Sequence, residues 1–173
     1  APAVGNEPFA VVLADDLIDG EPSVLRQMVD MYDYYNCSIL GVQNVRREET
    51  AQYGIVAASA LKDGIHEVNA IVEKPQPQNA PSTLGVVGRY ILSPRVFREL
   101  ENVRPGSGGE IQLTDGIAAL LQKEQVLAYE FSGLRYDCGS KLGYLKATVE
   151  HALKHTEVAE EFRAYLAELL ERL

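Results

Sequence analysis

Short apolar runs alternate along this chain with segments of helical spacing. Residues 9–13 (FAVVL) are a continuous apolar run, which predicts a strand buried on both faces. The run ends in Ala14-Asp15-Asp16, so an acidic pair sits at the strand's carboxyl end. From Ser23 to about Tyr34, Val24, Leu25, Met28, Val29, Met31 and Tyr32 recur at helical spacing, and Ser38 to Val45 reads as the next strand. Strand, helix, strand predicts a parallel crossover unit. Residues 54–58 and 66–72 are strand-like, with a turn expected at Lys62-Asp63-Gly64 between them. Pro75, Pro77 and Pro81 predict an irregular loop, and residues 84–92 another strand. Ser93-Pro94 supplies an N-cap and a first-turn proline for a short helix, Arg95 to Leu100. A glycine-rich stretch at 105–109 leads through Glu110–Asp115 into a helix ending near Lys123. Val126 to Phe131 reads as the last strand, and two helices, Lys141 to Lys154 and Glu157 to Arg172, close the chain. Val158, Phe162, Tyr165, Leu166, Leu169 and Leu170 form an apolar stripe on the second of these.

The pattern predicts an α/β fold, and 173 residues suit one domain with a sizeable core. A net charge of −9 gives no sign of a nucleic-acid footprint or of attraction to an anionic membrane surface. No apolar run approaches the roughly 18 residues of a membrane span, and no signal-peptide pattern opens the chain. Cys37 and Cys138 lack the short spacing of a zinc site or disulfide scaffold, so reduced cytoplasmic thiols are expected. Both read as packing residues rather than nucleophiles. His151 and His155 share an i,i+4 spacing, but Ala152 stands where the zinc-protease motif requires glutamate. An acidic protein that handles phosphates needs a local cation, either a placed lysine or a metal.

Charged residues gather where strand-like runs end. Asp15 and Asp137 fit the needs of Mg²⁺, which takes oxygen ligands and commonly uses one or two protein carboxylates, leaving other positions to phosphate and water. Acids after strands are commonly turn formers and helix caps, which is the plainer reading of the bare pair and stays open. Glu73-Lys74, at the end of residues 66–72 and before Pro75, offers an acceptor for sugar hydroxyls and a point charge for a phosphate. An exposed ion pair on a loop is the plainer reading of the same two residues. Gly54, Gly85 and Gly88 permit either close ligand approach or tight packing. The 105–109 stretch lacks the Gly-Lys-Ser/Thr ending of a P-loop.

Six blocks, in order, resemble the bacterial UTP–glucose-1-phosphate uridylyltransferases (UDP-glucose pyrophosphorylases): FAVVLADD at 9–16, YGIV at 53–56, VEKP at 72–75, VGRY at 87–90, PGSGGEIQLTD at 105–115 and YDCGSKLGY at 136–144. The resemblance covers essentially all 173 residues. It implies a Rossmann-like nucleotidyltransferase fold of the GT-A-like kind, a mixed sheet flanked by helices. It also implies Mg²⁺-dependent, in-line transfer of a uridylyl group from UTP to glucose 1-phosphate, giving UDP-glucose and pyrophosphate. By resemblance Asp15 and Asp137 hold the metal, Gly54 and Glu73 contact glucose, Lys74 contacts the sugar-side phosphate, and Glu110–Asp115 support the site. Gly88 is added as a substrate-binding position. Thr83 stands where the family has Asn, so no sugar contact is carried over there.

The family's nucleotide loop (Gly-x-Gly-Thr-Arg-x-x-Pro) and its base-reading residues do not occur in these residues. The expectation is therefore one partial domain over 1–173, the sugar-binding, carboxyl-terminal half, incomplete at the N-terminus and inactive alone. A missing N-terminal segment or a second copy would complete it. An exposed apolar sheet edge follows if strands are lacking, and the family implies a homo-oligomer. Two other readings stand beside this one: a dTTP- or ATP-dependent sugar-1-phosphate nucleotidyltransferase, and a non-catalytic sugar-phosphate-binding fragment.

Overall fold

A computed structural model describes residues 3–104 and 109–172. Eight strands and five helices follow one another: β1 (Phe9–Val12), β2 (Asp16–Asp19), α1 (Val24–Tyr35), β3 (Ser38–Asn44), β4 (Gly54–Lys62), β5 (Ile65–Glu73), β6 (Leu84–Leu92), α2 (Arg95–Asn102), α3 (Leu113–Leu120), β7 (Val126–Glu130), β8 (Leu134–Asp137), α4 (Lys141–Lys154) and α5 (Ala159–Leu170). Six strands form a mixed sheet in the order β1-β6-β3-β7-β5-β4, and β2 pairs with β8 in a separate two-stranded ladder. The α/β class expected from the pattern holds, with helices flanking a mixed sheet.

Local chemistry explains most element ends. The Ser23 hydroxyl accepts from the Arg26 N–H at the start of α1, and Asn36 closes that helix in a left-handed conformation, φ 50°. Gly64, φ 68°, makes the tight turn between β4 and β5 where one was expected. Ser93 does not act as the expected cap. Its hydroxyl donates to Glu124 at 2.7 Å, and Pro94 takes the N-cap position of α2.

Two expectations need correction. The run at 9–13 is not buried on both faces. Among the described residues β1 pairs only with β6, so it lies at the sheet edge and its residues alternate. Phe9 and Val11 pack against the core, with Phe9 stacked on Phe97 at 4.8 Å between ring centroids. Val12 and Leu13 stay about half exposed, and Pro8, Phe9, Val29, Tyr32 and Ile91 line an apolar groove beside this edge. The crossover from β1 through α1 to β3 does join parallel strands, but β6 lies between them, antiparallel to both. The second correction is β2–β8, absent from the expected elements. Its strands are four residues each, too short for periodicity to separate them from loop.

Two clusters fill the core. Leu40, Val42, Val56, Val86, Leu92, Val96, Ile117, Leu120 and Val126 lie on one side, under α2 and α3. Met28, Ile39, Val87, Ile91, Leu127 and Phe131 lie on the other, under α1. Tyr165 and Leu170 of α5 remain exposed, and none of that helix's residues is buried.

The β4–β5 hairpin spans the sheet. Its turn end pairs with β7 through Ile65–Glu67, and its open end reaches β6 through Ile55 opposite Gly85. Its first and last residues, Gly54 and Glu73, are cross-strand partners at that open end.

Met28 is fully buried, and its sulfur lies against Gly41 of β3. Truncation to alanine is expected to cost about 2–5 kcal/mol in urea denaturation, through lost transfer energy and an unfilled cavity. The volume-conserving Met28→Leu is expected to cost under about 1.5 kcal/mol.

Candidate active site

A polar cavity of about 300 Å³ opens where β1, β5 and β8 end and β4 begins. Its lining includes Asp15, Gly54, Glu73, Lys74, Gly88 and Asp137, so the six residues singled out in the sequence meet around one space.

The two carboxylates converge on a glycine. A Cβ placed on Gly139 would lie 3.1 Å from Asp137 Oδ1 and 3.3 Å from Asp15 Oδ2. Both oxygens therefore lie against the same small gap beside Gly139. The Gly139 N–H donates to Asp137 Oδ1 at 3.0 Å, and the Cys138 N–H donates to the Asp15 carbonyl at 2.7 Å, which ties the two loops together. Two carboxylates beside a gap that a side chain would fill suit a hard divalent cation with further ligands from phosphate and water. Among the described residues no group of three or more His, Cys, Asp or Glu side chains is placed to hold a metal by itself.

The other wall is the open end of the β4–β5 hairpin. A Cβ on Gly54 would meet Thr114 Cγ2 at 2.8 Å and Glu73 Oε2 at 3.4 Å, so the absent side chain lets α3 and the Glu73 carboxylate close on the strand. Thr114 is buried, lines the cavity, and its hydroxyl has no partner among the described residues. Lys74 follows Glu73 with φ 43°, a left-handed conformation that residues with a Cβ seldom adopt. Its N–H donates to the Tyr53 carbonyl at 2.9 Å, which holds the strained residue across the hairpin mouth. The side chain is 60% exposed, with Nζ 3.7 Å from Glu73 Oε1. The loose ion pair considered from sequence is thus present, but inside the cavity lining rather than on a remote loop.

Gly88 has φ 50°, and the space its side chain would need is occupied by Asp16: a Cβ there would be 2.3 Å from Asp16 Oδ2. The close approach Gly88 allows is that of Asp16. Thr83 donates to Asn44 Oδ1 at 2.8 Å and is not among the residues lining the cavity. Residues 105–108 of the glycine-rich stretch lie outside the described residues.

Arg135 and Tyr53 were missed from sequence. The Arg135 Nε–H donates to Asp16 Oδ1, its Nη1–H donates to the Tyr53 hydroxyl at 3.1 Å, and the guanidinium lies 5.1 Å from the centre of the Tyr53 ring. Asp16 is 8% exposed, and the Arg135 side chain 12%. Burial pushes the Asp16 carboxyl above the ordinary range, with the hydrogen bond and charge of Arg135 opposing it. Burial alone would lower the Arg135 guanidinium, but hydrogen bonds to Tyr53 and Asp16 carry it upwards. Arg135 stays charged in any case. The signal for it was its place two residues before Asp137, on the same face of a strand that periodicity did not reveal. Away from this site, burial pushes the Cys37 thiol up to about 11, which fits packing rather than nucleophilic chemistry.

Fold and site together define a class, an α/β protein whose sheet carries a polar cavity walled by carboxylates, a lysine and an arginine. Comparison with known proteins narrows it. A family model described as nucleotidyl transferase matches residues 2–153, and the chain belongs to that family. The UTP–glucose-1-phosphate uridylyltransferase of Pseudomonas aeruginosa is 52% identical over 150 residues, 85% of this chain and 53% of that protein. The enzyme of the same name from Staphylococcus epidermidis is 44% identical over 166 residues, 96% of this chain and 58% of that protein. A crystal structure of UDP-glucose pyrophosphorylase complexed with UDP-glucose superposes with a TM-score of 0.85 at 44% identity, covering 89% of this chain and 59% of the other. The chain thus spans a little over half the length of these relatives. These relatives carry the name of the family that the sequence blocks resemble.

The φ of Lys74 makes a prediction of its own. A left-handed conformation costs an ordinary residue roughly 1–2 kcal/mol that glycine does not lose. Lys74→Gly is therefore expected to be about 1 kcal/mol more stable than Lys74→Ala in urea denaturation. Equal stabilities would show that the backbone there relaxes freely.

Proposed function

We propose that this site serves uridylyl transfer from UTP to glucose 1-phosphate, giving UDP-glucose and pyrophosphate. In this reading the chain supplies the sugar-phosphate and metal half of the site. The observation that carries it is the meeting of Asp15 and Asp137 at Gly139 with Gly54, Glu73 and Lys74 around one cavity. The names of the relatives support uridylyl transfer over the dTTP- or ATP-dependent alternatives.

Asp15 and Asp137 are the residues to hold Mg²⁺. When bound, the ion supplies charge neutralisation at the reacting phosphate. The rest is the work of this chain's own groups. The Glu73 carboxylate accepts hydrogen bonds from sugar hydroxyls, and Gly54 acts by letting Thr114 and that carboxylate close on the strand. The Lys74 ammonium offsets charge on the sugar phosphate from a backbone already fixed by the Tyr53 carbonyl. The attacking phosphate oxygen is an anion at neutral pH, so no general base is required, and catalysis rests on positioning and electrostatics. Gly88 acts in this scheme by seating Asp16.

The triphosphate loop and base-reading residues are not among these 173 residues, so a further segment or a second copy provides them in this proposal. Association into a homo-oligomer belongs to the same reading, with Leu142, Tyr144, Leu145 and Leu170 of α4 and α5 as exposed apolar surface to cover. So does a cytoplasmic location, in keeping with two unpaired thiols. No helix among the described residues is long and apolar enough to cross a membrane.

Calorimetric titration of the chain with UDP-glucose and glucose 1-phosphate in Mg²⁺ tests this directly. Both are expected to bind, and Lys74→Ala is expected to weaken glucose 1-phosphate by roughly 2–4 kcal/mol, as for other preorganised charge contacts. Failure of either ligand to bind would overturn the reading. In a protein completed with the triphosphate loop, release of pyrophosphate from UTP, dTTP and ATP separates the nucleotide alternatives, and Asp15→Asn is expected to abolish most of that turnover while leaving the melting temperature unchanged.

A further inference from the structure

The two halves of the cavity belong to different pieces of the fold. Asp15 and Asp137 sit at the ends of the β2–β8 ladder, in which Asp16 faces Asp137 across the strands. Gly54, Glu73 and Lys74 sit at the mouth of the β4–β5 hairpin. Among the described residues no strand pairing joins the ladder to the hairpin. One side chain does reach both. Arg135 of β8 holds the Asp16 carboxylate through Nε and the Tyr53 hydroxyl through Nη1, with its guanidinium over the Tyr53 ring.

Each end of that link is firmly anchored. On the ladder side, Asp16 is wedged over Gly88, and its carbonyl accepts from Arg89 Nη2 at 2.7 Å. Asp16 adjoins Asp15 in sequence and Asp137 across the ladder, so its place constrains both carboxylates. On the hairpin side, the Tyr53 carbonyl receives the Lys74 N–H, and Tyr53 immediately precedes Gly54. The Tyr53 ring also packs on β6 beside Gly85. A planar guanidinium has donors in a rigid fork, so fixing one arm fixes the direction of the other. The guanidinium is thus a rigid connection between the ladder that carries the carboxylate pair and the mouth of the hairpin.

We propose that Arg135 is a positioning residue that couples the cation half of this site to its sugar half, so that each ligand binds more tightly when the other is present. This rests on the function proposed above. Arg135 lines the cavity, but the effect assigned to it here runs through Asp16 and Tyr53, as a coupling between two binding events. Coupling between two sites is reciprocal and commonly amounts to about 5–150-fold in affinity.

The test measures that coupling by titrating UDP-glucose calorimetrically in Mg²⁺ and again in EDTA. For the unaltered chain, the dissociation constant is expected to rise by about tenfold or more in EDTA. Removing Arg135 alone leaves a buried, unpaired carboxylate that destabilises the fold. The decisive variant is therefore Asp16→Asn with Arg135→Met, which removes both charges and keeps the bulk. Its melting temperature is expected to stay near that of the unaltered chain, with the ratio of the two constants falling to within about threefold of unity. Tyr53→Phe keeps the ion pair and cuts only the second arm, and is expected to lower the ratio as well. Arg135→Lys retains the charge without the fork and is expected not to restore it. An unchanged ratio in a folded double variant, or no cation dependence in the unaltered chain, would overturn this inference while leaving the proposed function intact. If the unaltered chain bound no UDP-glucose in either condition, the function reading would fall and the coupling with it.

Discussion

The seating of Asp16 over Gly88 is the constraint on which the rest of the site depends. A carboxylate with 8% exposure is expensive to bury unless its charge is met. Here the charge is met by Arg135, and the space is made by a glycine whose positive φ turns the β6 backbone away. The main sheet can then hold the small β2–β8 ladder close against its face, although no ladder hydrogen bonds join them among the described residues. Without that contact Asp15 and Asp137 would sit at the ends of two short strands with little to fix them. A buried ion pair is weak evidence for stability, because desolvation offsets most of its attraction. Its value here is geometric, since few other interactions define direction as narrowly as an arginine fork.

The hairpin β4–β5 contributes the second half of the site by reaching across the sheet. Its turn end is fixed on β7, so its open end has one place to go, over β6 near Gly85. Gly54, Glu73 and Lys74 arrive there together because cross-strand pairing makes Gly54 and Glu73 neighbours. The strain at Lys74 is the local cost of closing that mouth, and such strain persists where surrounding structure over-determines a residue. The same closure puts Thr114, at the start of α3, against Gly54. This gives the 110–115 block a physical role in packing, whatever else it does.

The fold was largely legible in the sequence because its elements obey strong local rules. The helical period from Ser23 to about Tyr34, the Asp-Gly turn at 63–64 and the β-rich run at 84–92 each reported on themselves. Misreadings came where tertiary position overrides local pattern. A run such as FAVVL is the same whether its strand lies inside a sheet or at the edge, and burial of β1 was accordingly overestimated. The ladder β2–β8 escaped because four residues cannot display a period and because its partners are more than a hundred residues apart.

The site divides along the same line. The six residues stood out at strand ends, but turn, ion-pair and packing readings fitted them as well, and only the resemblance of whole blocks to a known family singled them out together. The sequence determined the α/β class, the family and the six residues around the cavity. Tertiary structure alone decided that Gly88 makes room for Asp16, that Gly139 lies beside both Asp15 and Asp137, and that Arg135 ties Asp16 to Tyr53. Those relations are contacts between segments distant along the chain, and their existence depends on how sheet and ladder pack. Periodicity and propensity act over a few residues, and they carry no information about which distant side chain will fill the space beside a glycine.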